Sequence, residues 1–220
     1  MKIRNLLLRN ILFTGTILLV ASGYSPKGKD GDTYKRVKIG NQEWMSENLN
    51  VSTFRSGDII YEAKTNEEWE KARAEGKPAW CYYDSKPDNG KKYGKLYNWY
   101  AVNDIKGLAP EGWHIPSDEE WNKLVEYLGT SDAGIKIKGT SGWNNNGNGT
   151  NECGFNGLPG GYRYSSDGTF NNIGDYGYWW SSTENLSNNA WYRVVNCFDG
   201  YIGRYPGNKR TGFSVRCIKD

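Results

Sequence analysis

The sequence predicts an α+β fold, in which small antiparallel sheets combine with one or two helices and long irregular loops. Three observations predict it. Two segments begin with helix capping boxes, short alternating segments near both ends of the sequence are typical of strands, and residues 139–177 are rich in Gly, Asn and Ser. At 220 residues the chain is long enough for a domain of ordinary size with its own core.

The first 33 residues are predicted to stand apart from this fold. Residues 1–23 combine a basic start, an apolar run at 11–20 and small residues at 21–23, which is the pattern of a secretory signal peptide. The run is shorter than the ~20 residues that cross a bilayer, so we expect no membrane span, with a membrane anchor as the alternative. No cysteine follows it directly for lipid attachment. We therefore expect a secreted or cell-surface protein, with a flexible leader at 24–33 and one domain at 34–220.

The charge balance excludes one class of partner. Of the 28 basic residues, three lie in the predicted signal peptide, which leaves 25 against 25 acidic ones. The net charge of the exported chain is then near zero. Nucleic-acid binding needs a concentrated basic face, so no nucleic-acid partner is expected.

A hairpin is predicted at the start of the domain. Val37 and Ile39 alternate with polar residues, Gly40-Asn41 suits a tight turn, and Trp44 begins the return strand.

Two helices are predicted from capping boxes, at Thr65 with Glu68 and at Ser117 with Glu120. The first helix is short. The second covers residues 118–128 and ends at Gly129, a residue suited to a helix end. Its apolar residues have the spacing of one helical face: Trp121, Leu124, Val125 and Leu128.

The remaining segments give weaker patterns. Residues 96–102 fit either a short helix or a strand, and residues 139–177 are predicted to be loops. Three short strands are predicted near the end, at residues 178–181, 191–198 and 213–218.

Seven ordered motifs now carry a family resemblance, and they lie at residues 37–51, 78–84, 94–104, 107–121, 157–163, 179–184 and 212–220. Together they resemble the Fibrobacter succinogenes major paralogous domain, a family common in exported and surface proteins of Bacteroidetes. The segment GWHIPSDEEW and the closing GFSVRC also resemble formylglycine-generating-enzyme-like proteins. Those proteins have the C-type lectin-like fold, so the resemblance implies that fold here.

Four cysteines predict two disulfides, because an even number in an exported chain is typical of a disulfide framework. Sequence alone allows three pairings, with free buried thiols as the alternative. Cys81 and Cys217 fall in motifs of the resembled family, which implies a Cys81–Cys217 bond. Cys153 and Cys197 would then form the second bond.

The sequence favours a protein that is not an enzyme. His114 is the one histidine, and we expect it to have a structural role at a strand end. Neither a G-x-S-x-G nor an H-E-x-x-H motif occurs. Two enzymatic alternatives stay open. The resemblance implies that Cys197 and Cys217 could imitate the reactive cysteines of formylglycine-generating enzymes, and a hydrolase with a carboxylate pair would leave no motif.

No cofactor is expected, although calcium stays possible. The loop at 144–152 is rich in the oxygen ligands that Ca²⁺ takes, and its candidate ligands are Asn148, Asn151 and Glu152. A plain solvated loop is the favoured interpretation, because Asn and Gly are common turn formers.

The late part of the chain carries the candidate ligand-binding residues: Asn188, Asn189, Asn196, Asp199, Tyr201, Arg204 and Tyr205. Rigid aromatic area mixed with amides and arginine is typical of paratopes, and the resemblance implies that this region supplies the ligand face. Trp179, Trp180 and Trp191 are expected in the core instead.

We therefore expect an exported, non-enzymatic domain that recognises a protein or a glycan at the cell surface or outside the cell. The alternatives are an enzyme of the two kinds above and a structural module of a surface assembly.

Overall fold

The computed structural model describes residues 34–220. The predicted signal peptide and leader lie outside the described residues. The described part contains the following elements: β1 (Arg36–Ile39), β2 (Gln42–Met45), β3 (Tyr61–Glu62), α1 (Asn66–Ala74), β4 (Ala79–Cys81), a 3-10 turn (Tyr83–Ser85), α2 (Pro87–Tyr93), β5 (Leu96–Tyr97), α3 (Trp99–Val102), β6 (Trp113–His114), α4 (Asp118–Leu128), α5 (Ala133–Ile137), β7 (Gly160–Arg163), β8 (Phe170–Ile173), β9 (Tyr176–Leu186), β10 (Asn189–Asn196), β11 (Gly203–Asn208) and β12 (Ile218–Lys219).

These strands form four small sheets, with the orders β1-β2-β12-β6, β11-β10-β9, β3-β4-β5 and β7-β8. All strand pairs are antiparallel except β3 with β4. The predicted mixture of helices and small antiparallel sheets is confirmed. The expectation of one or two helices is too low, because α2, α3 and α5 are short segments of four to seven residues with weak sequence patterns.

The predicted hairpin is confirmed and lies next to the end of the chain. Val37 is opposite Trp44 in β1 and β2, and Gly40 takes a φ of 60° in the turn between them. Ile218 of β12 then pairs with both Trp44 and His114. The last strand therefore closes the sheet that the first hairpin begins.

Both predicted capping boxes are confirmed at the starts of α1 and α4. In α4 the Ser117 hydroxyl accepts from the Glu120 backbone N–H, while the Glu120 carboxylate accepts from the Ser117 N–H. The helix buries Trp121 and Leu124 against the hairpin, where the rings of Trp121 and Trp44 are 4.8 Å apart.

Buried side chains lie on both faces of the β11-β10-β9 sheet. Successive side chains of a strand point to opposite faces, so Trp179 and Trp180 of β9 enter different parts of the core, and both are fully buried. Trp179 packs with Trp121 and Phe155 below α4. Trp180 packs against Phe213 on the other side, with ring centroids 4.6 Å apart. The prediction that these two tryptophans belong to the core is confirmed.

Two sequence expectations for the second half are wrong. Residues 139–177 are not all loop, because they contain the β7–β8 hairpin, and β11 was not predicted. Only Ile218 of the predicted strand 213–218 lies in a strand. Residues 96–102 contain both structures that the pattern allowed, a short strand followed by one helical turn. In each case pairing with another segment, rather than the local sequence pattern, decides the conformation.

The predicted Cys81–Cys217 disulfide is wrong, because all four cysteines are free thiols. Cys81 packs in the core cluster that contains Trp69, whereas Cys217 packs in a separate cluster with Phe213. Burial raises the pKa of the Cys81 thiol to about 11 and that of Cys217 to about 12. Both sulfurs are therefore protonated and apolar in character at neutral pH.

The predicted Cys153–Cys197 disulfide is wrong as well. Each sulfur has a different partner: the Cys153 thiol donates to the Lys136 carbonyl at 3.3 Å, and the Cys197 thiol contacts the Asp175 carboxylate at 3.6 Å. The two thiols thus bond to separate polar groups.

Within residues 34–220, no helix has the length and apolar character needed to span a membrane.

Candidate functional site

A row of five tyrosines crosses four neighbouring strands on one face of the protein. We call it the tyrosine row, and in spatial order it consists of Tyr164, Tyr162, Tyr178, Tyr192 and Tyr205. Neighbouring ring centroids along the row are 6.2, 5.0, 6.0 and 6.2 Å apart. The rings therefore form one continuous series of ring contacts, with neighbouring planes inclined by 38° to 88°.

Strand periodicity places these rings on the same face. In β9, Tyr176, Tyr178 and Trp180 are two residues apart and share a face. In the β10–β11 pair, Tyr192 is directly opposite Tyr205. β7 supplies Tyr162 from the neighbouring hairpin.

The tyrosine row covers the core cluster around Phe213. The Tyr178 ring stacks on Phe213 at 5.0 Å with an interplanar angle of 7°, and the Tyr192 ring lies 4.6 Å from the same phenylalanine. Exposure rises from the middle to both ends: Tyr178 is 8 % exposed, whereas Tyr164 is 43 % and Tyr205 is 54 % exposed. The row is thus fixed at its centre and open to solvent at its ends.

The hydroxyls of the tyrosine row are mostly unused by the protein. Asn172 donates to the Tyr178 hydroxyl at 2.9 Å. Within the described residues, the hydroxyls of the other four tyrosines have no protein hydrogen-bond partner. They are not enclosed, so water or a ligand can reach them. Burial, together with the neighbouring tyrosines, raises the pKa of Tyr162 and Tyr192, so these hydroxyls remain protonated at neutral pH.

Amide groups lie beside one end of the row. Asn171 of β8 is directly opposite Tyr162, and Asn172 follows it in the left-handed region, with a φ of 64°. In the part of the chain that the structure describes, no lysine or arginine lies over a ring of the row. One carboxylate, Asp167, is near enough to Tyr162 to contribute to its raised pKa. The surface is therefore aromatic and rich in hydroxyls, and beside its Tyr164 end lie Asp167 and Arg73, which donates to the Ser165 carbonyl.

The predicted ligand residue Arg204 lies on the opposite face of the sheet from its neighbour Tyr205. Its Nε atom donates to both carboxylate oxygens of Asp118 at 2.9 Å, and its guanidinium lies 3.4 Å from the centroid of the Trp191 ring. Asp118 also accepts from the buried Arg193 at 2.7 Å. Arg204 is thus held by α4, and Trp191 is partly buried beneath it.

The other predicted ligand residues do not come together. Asn196, Asp199 and Tyr201 lie in or beside the loop between β10 and β11, where Asn196 and Asp199 hydrogen-bond to each other and to the loop backbone. Asn188 and Asn189 lie at the other end of β10. Of the predicted set, Tyr205 alone belongs to the tyrosine row.

The three calcium candidates each have a separate partner. The Asn148 side-chain oxygen accepts from the Trp143 backbone, and that of Asn151 accepts from the backbone of residue 156. Glu152 forms an ion pair with Lys136 at 3.8 Å. Within residues 34–220, no group of three His, Cys, Asp or Glu side chains could hold a metal ion.

His114 has two carboxylate partners that the sequence did not reveal. Its Nδ1 atom lies 2.7 Å from Asp220 Oδ1, and its Nε2 atom lies 2.8 Å from Glu120 Oε1. Burial lowers the pKa of His114, but the hydrogen bonds to Glu120 and Asp220 outweigh it and raise the pKa above the ordinary value. His114 thereby links the end of the chain to the first turn of α4.

Most of the tyrosine row was not predicted from the sequence, although a pattern was present. Tyr162 with Tyr164, and Tyr176 with Tyr178, are two residues apart, which is the spacing of one strand face. The first pair lies in a segment predicted to be loop. Side chains alternate between two faces only in a strand, so the spacing predicted nothing in a segment that was expected to be a loop.

The comparisons with known proteins give one positive result. No curated protein matches the sequence. The family model of the Fibrobacter succinogenes major domain matches residues 37–219, which is nearly the whole described chain. The family resemblance inferred from the seven motifs is confirmed, and this chain belongs to the Fibrobacter succinogenes major domain family.

Proposed function

We propose that this protein is an exported, non-enzymatic domain that binds a glycan or a protein at the cell surface or outside the cell, and that the tyrosine row contacts the ligand. One observation carries the proposal. Four tyrosine hydroxyls in the row have no protein partner within the described residues, while the rings below them are held by the core.

Fixed tyrosines favour binding for an energetic reason. A tyrosine offers a large contact area and loses little rotamer entropy when it is ordered. Here the cost of ordering the inner rings is met on folding, because Tyr178 and Tyr192 already pack on Phe213. A ligand would therefore meet a preorganised surface, which improves affinity without new contacts.

The thiols favour binding over formylglycine-type catalysis. A reactive cysteine needs a lowered pKa and solvent access. Cys217 is fully buried with its pKa raised to about 12, which suits packing rather than nucleophilic attack. The His114 ring is bonded to two carboxylates, and within residues 34–220 no hydroxyl or thiol side chain hydrogen-bonds to it.

We also propose the C-type lectin-like fold for residues 34–220. Three features support it: the first hairpin lies beside the last strand, β6 leads through a capping box into α4, and a late three-stranded sheet follows a long irregular region. Comparison with an experimental structure of this chain tests the proposal, and a topology unlike the lectin-like one would refute it.

A combined array of glycans and extracellular proteins tests the proposed function. The probes are the wild type, a variant with both Tyr192→Ala and Tyr205→Ala, and the control Tyr127→Ala, which removes an exposed tyrosine from α4. We expect the wild type and the control to bind the same ligand, and the double variant to lose it. If the wild type binds nothing, or if the double variant binds as well as the control, the proposal is wrong.

A further inference from the structure

We infer that the ligand of the tyrosine row is a neutral polysaccharide chain, bound lengthwise across β7, β9, β10 and β11. The inference rests on the proposed function and narrows it to one class of ligand. Its basis is the spacing of the rings, the open ends of the row, the absence of a cation over its rings within residues 34–220, and the unpaired hydroxyls.

The spacing of the rings fits a repeating ligand. Centroids in the row are separated by 5.0 to 6.2 Å. This is about the rise of one sugar unit along an extended polysaccharide. A pyranose carries C–H groups on its faces and hydroxyls at its rim, so each unit can contact a ring and a phenolic hydroxyl. Neighbouring ring planes are inclined by 38° to 88°, so successive sugars would contact ring faces at some positions and ring edges at others.

The ends of the row favour a chain over a single terminal sugar. Tyr164 and Tyr205, at the two ends, are the most exposed members, and Tyr178 in the middle is the least. A site for one terminal sugar would enclose it within a pocket. A surface that is fixed in the middle and open at both ends lets a chain continue past it in either direction.

The absence of a cation over the rings of the row, within residues 34–220, indicates a neutral ligand. Recognition of a carboxylate or sulfate calls for arginine or lysine. The arginines next to row tyrosines in sequence are all bonded elsewhere: Arg163 is buried and donates to the Ala63 carbonyl, and Arg193 and Arg204 are bonded to Asp118. The carboxylate near Tyr162, Asp167, would repel an acidic sugar. Protein hot spots also combine tyrosine with arginine, so this surface favours a glycan over a protein.

Unpaired hydroxyls suit a ligand that is itself rich in hydroxyls. Tyr162 and Tyr192 can each donate and accept, because their raised pKa keeps the proton in place. Asn171 adds an amide opposite Tyr162. A ligand that satisfied none of these groups would displace their water without replacing its hydrogen bonds, which lowers affinity.

Calorimetry with defined oligosaccharides tests the inference. The probes are hexasaccharides and disaccharides of β-1,4-linked glucose, xylose and mannose, with hexagalacturonate as the acidic counterpart. We expect at least one neutral hexasaccharide to bind about tenfold more tightly than its disaccharide and more tightly than hexagalacturonate, with little dependence on salt. Tyr205→Ala should weaken this binding about tenfold, and Tyr192→Phe should weaken it by a smaller factor, while Tyr127→Ala should not change it.

The contrary outcomes separate the inference from the proposed function. If hexagalacturonate binds best, if disaccharides bind as tightly as hexasaccharides, or if no neutral hexasaccharide binds, the inference is wrong. A protein ligand on the array that is lost in the Tyr192→Ala, Tyr205→Ala variant would also overturn it, but the proposed function would stand. If a neutral hexasaccharide binds Tyr205→Ala and Tyr192→Phe as tightly as it binds the wild type, both the inference and the proposed function are wrong.

Discussion

Tyr192 and Tyr205 are directly opposite each other on β10 and β11, with ring centroids 6.2 Å apart. Their environments differ although they are neighbours. The Tyr192 ring is fixed against Phe213 at 4.6 Å, whereas more than half of Tyr205 is exposed. The pair therefore joins the core of the protein to its surface, and this relationship underlies the proposed binding site.

Alanine variants at the centre and at the end of the tyrosine row should differ in their effect on stability. Tyr178→Ala removes a ring that stacks on Phe213 and leaves a cavity, so we expect the free energy of unfolding to fall by about 3 kcal/mol or more. Tyr205→Ala removes an exposed ring and should cost less than about 1 kcal/mol. Urea unfolding followed by tryptophan fluorescence measures both. Equal losses for the two variants would contradict the assignment of core and surface members.

The carboxylate of Asp118 should be more important for stability than the exposed arginine that it binds. Asp118→Ala leaves the guanidinium of Arg193, which is 3 % exposed, without its ionic partner, and we expect a loss of about 3 kcal/mol. Arg204→Ala breaks a contact at a half-exposed side chain and should cost about 1 kcal/mol or less. Urea unfolding of the two variants measures both losses in the free energy of unfolding. A larger loss of stability for Arg204→Ala than for Asp118→Ala would contradict this ranking.

The stability of the protein should fall as the pH rises through the folded pKa of His114. That pKa is raised above 6.5 in the folded state, because the hydrogen bonds to Glu120 and Asp220 outweigh burial. The stabilisation is therefore complete below the unfolded pKa and is lost above the folded one. The side chain is partly exposed, so we expect a change of less than about 1 kcal/mol.

The matched variant for this pH effect is His114→Gln. Its free energy of unfolding should lack the histidine-dependent loss that the wild type shows as the pH rises above 6.5. The test compares urea titrations of the wild type and the variant at several pH values. If the free energy of unfolding changes with pH in the same way in both proteins, His114 is not the source of the pH dependence.

The four cysteines should all react as thiols once the protein is unfolded. Denaturation without a reductant, followed by alkylation and mass spectrometry, should give four adducts. In the folded protein Cys153 should react first, because the other three are buried. Fewer than four adducts in the denatured protein would contradict the free thiols that the structure shows.

Local patterns predicted those parts of the fold that depend on neighbouring residues. The capping box of Ser117 with Glu120 and the hairpin turn at Gly40 are satisfied within a few residues, so their sequence patterns were sufficient. The β7–β8 hairpin and β11 were missed because they contain Gly, Asn and Pro. Their strands form through pairing with other segments, β7 with β8 and β11 with β10, and through the bridge from Arg163 to Gly212.

The candidate site was predicted only in part for the same reason. Tyr205 was identified from composition, but Arg204 was grouped with it although strand alternation sends adjacent side chains to opposite faces. The β11 strand had to be known before that alternation could be applied. The convergence of Tyr162 with Tyr178, from two different hairpins, depends on tertiary packing that no local pattern contains.

Tyrosine ring resonances during ligand titration test the central claim most directly. The protein is labelled on its 16 tyrosines, the signals are assigned by Tyr→Phe variants, and the hexasaccharides of β-1,4-linked glucose, xylose and mannose are added in turn. The account predicts shifts at Tyr162, Tyr192 and Tyr205, with none at Tyr127. Shifts confined to Tyr127 or Tyr201, or no shifts with any of the three, would contradict it.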